Sequence, residues 1–208
     1  MRILVTRPEG QEVELVHRLE ALGHEAIVCP LVAIEPLGDE EIDVSAYDWV
    51  VVTSVNGARE LRRRLRGSPG RVAAIGAATA TAFGGADLVP AVSTQEGLLA
   101  ELPRPAGRVL FAGAEGARRL LADELDADVV PLYRTRELVP GDLPSADLVV
   151  LASASAARAF GRTGAAIPAV SIGPETTAAA RAAGVEIVAQ AATHDLGGLL
   201  AAIASVAR

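Results

Sequence analysis

The residues with chemical potential fall into two copies of one short pattern. Asp48-Trp-Val-Val-Val-Thr-Ser-Val-Asn-Gly-Ala-Arg59 returns as Asp147-Leu-Val-Val-Leu-Ala-Ser-Ala-Ser-Ala-Ala-Arg158. Thr53, Ser54 and Asn56 in the first copy, and Ser153 and Ser155 in the second, stand directly after an apolar run of strand length. A hydroxyl at the start of a helix either caps a free backbone N–H or, together with those N–H groups, faces an anion. Capping is the simpler reading for any one of these residues; finding the same turn twice strengthens the second.

The echo runs on through the chain. Ala73-Ala-Ile-Gly-Ala-Ala-Thr-Ala80 is answered by Val170-Ser-Ile-Gly-Pro-Glu-Thr-Thr177, which pairs Gly76 with Gly173 and Thr79 with Thr176. Arg2-Ile-Leu-Val-Thr-Arg-Pro-Glu-Gly10 corresponds to Arg108-Val-Leu-Phe-Ala-Gly-Ala-Glu-Gly116, and Thr94-Gln-Glu-Gly resembles the Thr193-His-Asp segment. Two similar halves of about a hundred residues, a typical small-domain size, therefore fill the chain.

The elements that must hold these turns follow from periodicity. Apolar runs at 3–6, 49–52, 73–75, 88–90, 109–112, 148–152, 170–172 and 186–188 alternate with helical patterns at about 12–22, up to about 66, after Gly76, at about 94–102 and 117–125, up to about 162, and at about 175–183 and 196–206. Alternating strands and helices imply βαβ units with parallel sheets. Leu15, Val16, Leu19 and Leu22 are expected on one face of the first helix. The stretches 26–37 and 129–140 read as extended and are flanked by prolines, so they are edge or connecting strands, placed equivalently as a hinge pair.

Of the 208 residues, half are apolar but only one Trp, two Tyr and three Phe are aromatic. A Val, Leu, Ile and Ala core suits sheets covered on both faces by helices. The net charge of −7 argues against general nucleic-acid binding, because a phosphate backbone attracts a basic face. Every one of the 19 basic residues is Arg, so a single Arg is weak evidence of function. Cys29 is the only cysteine and reads as core packing, and no His/Cys cluster implies a metal. The start lacks a signal-peptide layout, and no apolar run approaches the roughly 20 residues that span a bilayer. A cytoplasmic monomer is expected.

Taken in order, Ile3-Leu-Val-Thr-Arg-Pro8, Pro30-Leu-Val-Ala-Ile-Glu-Pro36, Thr53-Ser-Val-Asn-Gly57, Ile75-Gly-Ala-Ala-Thr79, Pro131-Leu-Tyr-Arg-Thr135, Ser153-Ala-Ser155 and Ile172-Gly-Pro-Glu-Thr176 resemble the uroporphyrinogen-III synthase family along the whole chain. The resemblance implies an α/β fold of two flavodoxin-like parallel-sheet domains joined by a two-stranded linker. Residues 1–33 plus 140–208 would form one domain, 38–130 the other, and 34–37 with 131–139 the hinge. It implies a lyase that closes hydroxymethylbilane, a linear polycarboxylate tetrapyrrole, into uroporphyrinogen III, with inversion of the last pyrrole and loss of water. No cofactor or metal is implied.

Carried onto this sequence, the resemblance makes Tyr133 a proton donor to the departing hydroxyl. Arg7, Thr53, Ser54, Asn56, Gly57, Gly76, Thr79, Gly113, Ser153, Ser155, Gly173 and Thr176 become substrate contacts. A phenol of pKa near 10 is a weak acid, so a modest contribution is expected of Tyr133. The chain departs from the family where Ser153-Ala-Ser155 stands for the frequent Ser-Pro-Ser, and where Ala152 lacks the hydroxyl of Thr53. Two other readings stay open on the residues: a two-lobed protein that binds a small anion without chemistry, and a sugar-phosphate isomerase, which lacks a convincing His or Glu pair. Nucleotide binding is weaker, since no glycine-rich fingerprint follows a strand.

Overall fold

The structure is a computed structural model describing residues 1–206. Its elements in chain order are β1 (Arg2–Val5), α1 (Val13–Ala21), β2 (Glu25–Val28), β3 (Val32–Pro36), β4 (Ile42–Asp43), β5 (Trp49–Val52), α2 (Val55–Arg64), β6 (Leu65–Arg66), β7 (Arg71–Ala74) and α3 (Ala77–Phe83). There follow α4 (Gln95–Glu101), β8 (Val109–Ala114), α5 (Leu120–Glu124), β9 (Asp128–Glu137), β10 (Leu148–Leu151), α6 (Ala154–Arg162), β11 (Ala169–Ser171), α7 (Pro174–Ala182), β12 (Ile187–Gln190) and α8 (Leu196–Val206). The chain divides into two compact units, Met1–Ala33 with Thr135–Arg208, and Ile34–Arg134.

The first unit is a five-stranded sheet in the order β12-β11-β10-β1-β2, with every pair parallel. Counted along the chain, that is the 2-1-3-4-5 order of flavodoxin-like sheets. Successive strand residues point to opposite faces, so alternate positions feed different cores. Leu4, Val149 and Leu151 pack with Phe160, Ala156 and Ala180 under α6 and α7. Ile3, Val5, Leu148 and Val150 pack with Leu15, Leu19, Leu199 and Ile203 under α1 and α8.

The second unit repeats this plan. Its sheet runs β3-β9-β8-β5-β7, and a single parallel bridge between Ala73 and Leu88 extends it beyond β7. Val50, Val52, Leu110 and Ala112 feed one core with Ala58 and Leu61 of α2, while Trp49, Val51, Val109 and Phe111 feed the other with Leu98 of α4 and Leu121 of α5. Aligned by the sequence repeat, β10, β11, β1 and β2 of the first unit stand where β5, β7, β8 and β9 stand in the second. The amino-terminal β1-α1-β2 therefore supplies to the first unit what β8-α5-β9 supplies to the second, which is why that unit is discontinuous in sequence.

Several expectations need correction. Leu22 follows α1 as its C-cap and is 57% exposed, because the helix ends one residue too early to turn it inward. The expected strand at 88–90 shrinks to the Leu88 bridge, where Pro90 has no N–H to extend a ladder. Helix α5 is shorter than 117–125. The Arg-rich helix stops at Arg64, and Leu65–Arg66 pairs in parallel with β4, a two-stranded ribbon the periodicity did not reveal. The stretch 26–37 is two strands on two sheets, parted at Cys29–Leu31. Cys29 packs beside the Leu4–Phe160 core, and burial raises its thiol pKa.

Glu137, the last residue of β9, ties that strand to α6 through Arg158 Nε at 2.9 Å and through Arg162. Burial pushes its carboxyl pKa up, but the bonds from Arg162 and Arg158 outweigh this and hold it below the usual carboxylate range. A folded pKa below the unfolded value of about 4.3 means the stabilisation is present above that pH and is lost as pH falls through the folded value. Glu137→Gln should lower stability by about 1 kcal/mol at neutral pH. Urea titrations repeated down to pH 3 should show the difference from wild type closing below about pH 4.

Candidate functional site

The chemistry collects at the carboxyl ends of the parallel strands, at one special place in each sheet. Helix α2, which follows β5, packs on one face of its sheet, while α5, which follows the neighbouring β8, packs on the other. Chains that leave adjacent strands toward opposite faces open a crevice there, the switch point where α/β sheets bind ligands. In the first unit β10 and β1 make the equivalent pair, with α6 and α1 leaving to opposite faces.

At the β5/β8 switch point Val52 is level with Ala112, so the Thr53-Ser54 turn stands beside Gly113. Ser54 is the N-cap of α2 and its Oγ accepts the Gly57 N–H at 3.0 Å. Glycine at 57 lets this turn approach the strand end: a Cβ there would lie 3.0 Å from Ser54 Oγ and 3.5 Å from both the Ala112 carbonyl oxygen and Gly113 Cα. Asn56, half-buried, lies in the same first turn. In the first unit Ser153 caps α6 in the same way, its Oγ accepting the Ala156 N–H at 3.1 Å. Ser155 lies in that first turn and accepts from Arg158 at 3.3 Å. Both capping readings hold, and both turns sit at a switch point.

Arg7 follows β1 and is half-buried beside the second of these crevices. Burial lowers its guanidinium pKa, while Glu12 and Glu14 nearby act to raise it. Gly76 and Gly173 are the N-caps of α3 and α7 and have extended backbone, so those helices begin with no side-chain cap. Thr79 and Thr176, each the third residue of its helix, are only 4% exposed and are packed down at the turn rather than displayed on the surface. His194 lies across the α7 turn, where a Cβ on Gly173 would come 2.8 Å from its Nε2.

Tyr133 sits on β9, level with Ala114 of β8. Its ring is 6% exposed and packs in the core with Val50, Val52, Leu61 and Leu132. The phenol reaches the switch point all the same, since its Oη lies 2.9 Å from Ser54 Oγ. Burial raises the phenol pKa and the Ser54 bond draws it back in part. The group is therefore a neutral hydroxyl at physiological pH. Sequence reading placed Tyr133 and Ser54 in one site but not in contact.

One network had no sequence signal. Buried Ser171 of β11 and Thr177 of α7 form a chain with exposed Gln190 of β12, with Oγ to Oγ1 at 2.5 Å and Thr177 Oγ1 donating to Gln190 Oε1 at 2.6 Å. Thr177 has one proton to give, so Ser171 donates to it. The chain pins the start of α7 to two strands. Among the described residues no group of three His, Cys, Asp or Glu could hold a metal ion, and no helix is long and apolar enough to cross a membrane.

Comparison with known proteins adds an independent line. A family model described as uroporphyrinogen-III synthase HemD matches residues 13–201. A uroporphyrinogen-III synthase of Synechococcus elongatus is 29% identical over 177 residues, 73% of this chain and 66% of that protein. A putative uroporphyrinogen-III synthase of Archaeoglobus fulgidus is 34% identical over 148 residues, 66% of this chain and 62% of that protein. The match thus spans slightly less than two thirds of these curated relatives. A crystal structure of a mutant uroporphyrinogen III synthase from the extremely thermophilic bacterium Thermus thermophilus aligns over 100% of this chain and 98% of its own, with a TM-score of 0.57 at 16% identity, a likeness of fold.

The Tyr133–Ser54 contact makes a stability prediction. Tyr133→Phe deletes one hydrogen bond and should cost about 1 kcal/mol. Ser54→Ala removes the helix cap and leaves a buried phenol without its partner, so it should cost more, about 2 kcal/mol. Urea denaturation of the two variants measures this order.

Proposed function

The chain belongs to the uroporphyrinogen-III synthase family, and from that premise we propose that it closes hydroxymethylbilane to uroporphyrinogen III, as a cytoplasmic monomer acting without a cofactor. The observation that carries this reading is the paired arrangement of helix starts, the same Ser-capped turn set at the switch point of each unit. The substrate bears carboxylates on every ring. Helix N-termini bind such groups through backbone N–H and the positive end of the helix dipole, so a protein of net charge −7 can hold a polyanion. Arg7 adds one fixed cation at the β1 end.

The reaction needs positioning more than reactive groups. Once the terminal hydroxyl departs, an azafulvenium cation remains and an electron-rich pyrrole attacks it. The free substrate closes to the type I ring unaided, so the enzyme must hold the geometry in which the last ring attacks through its substituted carbon to form a spiro intermediate. Thr53, Asn56, Gly57, Gly76, Thr79 and Gly113 in the second unit, and Ser153, Ser155, Gly173 and Thr176 in the first, are the proposed contacts. Tyr133 is the proposed source of the proton that leaves with the hydroxyl; a neutral, buried phenol suits a donor.

Purified protein given freshly made hydroxymethylbilane should yield the type III isomer after oxidation and chromatography. Recovery of the type I isomer alone would leave a non-catalytic anion binder as the reading. Tyr133→Phe should lower turnover by about tenfold with product affinity unchanged, and steady-state kinetics together with a product-binding titration separate the two effects.

A further inference from the structure

We infer that Ser54, not Tyr133, is the hydroxyl that meets the leaving group, and that Tyr133 acts from behind it as the proton store of a two-hydroxyl relay. The inference rests on the activity proposed above and assigns roles within that same site. Tyr133 is 6% exposed and its ring is enclosed by the core, whereas Ser54 is half-buried in the turn at the sheet's carboxyl edge. The two oxygens are 2.9 Å apart.

The direction of that hydrogen bond follows from counting donors. Were Ser54 to donate to Tyr133, the phenol proton of an almost fully buried residue would need a second acceptor. No other side-chain or backbone acceptor is bonded to it among the described residues. Leaving it unmet costs about 1–3 kcal/mol. In the proposed relay Tyr133 donates to Ser54. Ser54 Oγ also accepts the Gly57 N–H at 3.0 Å, so both of its lone pairs are engaged and its own proton is free to point out of the turn.

The resulting chain balances. As the terminal C–O bond breaks, the pyrrole nitrogen supplies the electron pair that completes the azafulvenium, and the Ser54 proton goes to the departing oxygen, which leaves as water. The Tyr133 proton moves to Ser54, and the negative charge rests on the phenol oxygen. The first carbon–carbon bond makes the quaternary spiro carbon, which bears no hydrogen. Once that ring reopens and closes again at the unsubstituted α-carbon, this carbon holds both the new bond and its original hydrogen, which leaves as a proton to restore aromaticity. That proton returns through Ser54 to Tyr133. Nothing is oxidised or reduced. The Gly57 N–H, in the first turn of α2, stabilises the charge that passes over Ser54 Oγ. Burial raises the pKa of the phenol, which makes its anion short-lived and quick to recover the proton.

Single-turnover measurements of type III isomer formation test the relay. Ser54→Ala should slow the step by about 10- to 100-fold, and the Ser54→Ala/Tyr133→Phe double variant should be no slower, because groups in one relay lose their effect together. Ser54→Thr, which keeps hydroxyl and cap, should restore the rate. Thr94→Ala removes an equivalent cap, Thr94 Oγ1 accepting the Gly97 N–H at 3.0 Å, and should leave the rate unchanged. Rates in mixtures of light and heavy water should bend with isotope fraction in the wild type and run straight in Tyr133→Phe, since one proton in flight has been removed. Should Ser54→Ala unfold, Ser54→Asn retains the cap without a hydroxyl and is read in its place. A hydroxyl-free variant as fast as wild type, or losses that multiply in the double variant, overturns the relay while the activity stands. A wild type that forms only the type I isomer removes the activity and the relay with it.

Discussion

Each sheet depends on one clamp at the foot of its switch point, where the aspartate just before one strand holds the residue that opens or just precedes its neighbour. Asp147 Oδ2 accepts the Arg2 N–H at 2.7 Å, and the Asp147 N–H returns a bond to the Arg2 carbonyl at 2.8 Å. In the other unit Asp48 Oδ2 accepts the Arg108 N–H at 2.7 Å, and the Asp48 N–H returns to the Arg108 carbonyl at 2.9 Å. Both carboxylates are exposed, so each such bond contributes about 0.5–1.5 kcal/mol. In the first unit the clamp sets in register two strands 145 residues apart in the chain. The approach at Asp48 is so close that a Cβ on Gly107, whose φ of +74° already favours glycine, would fall 2.3 Å from the carboxylate.

Register at the foot decides geometry at the head. With Ile3 opposite Leu148 and Trp49 opposite Val109, the strands of each switch pair start level, and the helices that follow them lie on opposite faces. Serine caps then hold the Gly57 and Ala156 N–H groups at the starts of the helices that follow. The same hydroxyl that caps α2 is bonded to the buried phenol of β9, so the helix cap and the proposed proton relay share one oxygen. In the proposed reaction that sharing lets a fold of ordinary βαβ units serve chemistry without a cluster of ionisable groups.

The duplication also shows how one scaffold accommodates two roles. Both units keep the clamp, the serine cap and the glycine N-cap of the next helix. Only the second unit brings a tyrosine to the capping serine, and the first carries Arg7 where the repeat places Gly113 in the second. Binding of carboxylates is thus spread over two similar crevices in the proposed reaction, while its proton chemistry is confined to one.

The sequence by itself determined the alternation of strands and helices, the two repeats, and the turns at which hydroxyls would gather. Those features are local: strand and helix periods lie within ten or so residues, and a cap acts three residues ahead. The burial of Leu151, Val150 and Leu110 was legible in the same way. What tertiary structure decided were the meetings across long chain separations. Ser54 and Tyr133 are 79 residues apart, and the Ser171–Thr177–Gln190 chain joins three separate elements. The exposure of Leu22 and the short β4–β6 ribbon were set likewise, by where a helix stopped and what lay beside it. A hydrogen bond needs its partners within about 3 Å, and only the packed sheet brings groups so distant in sequence that close together.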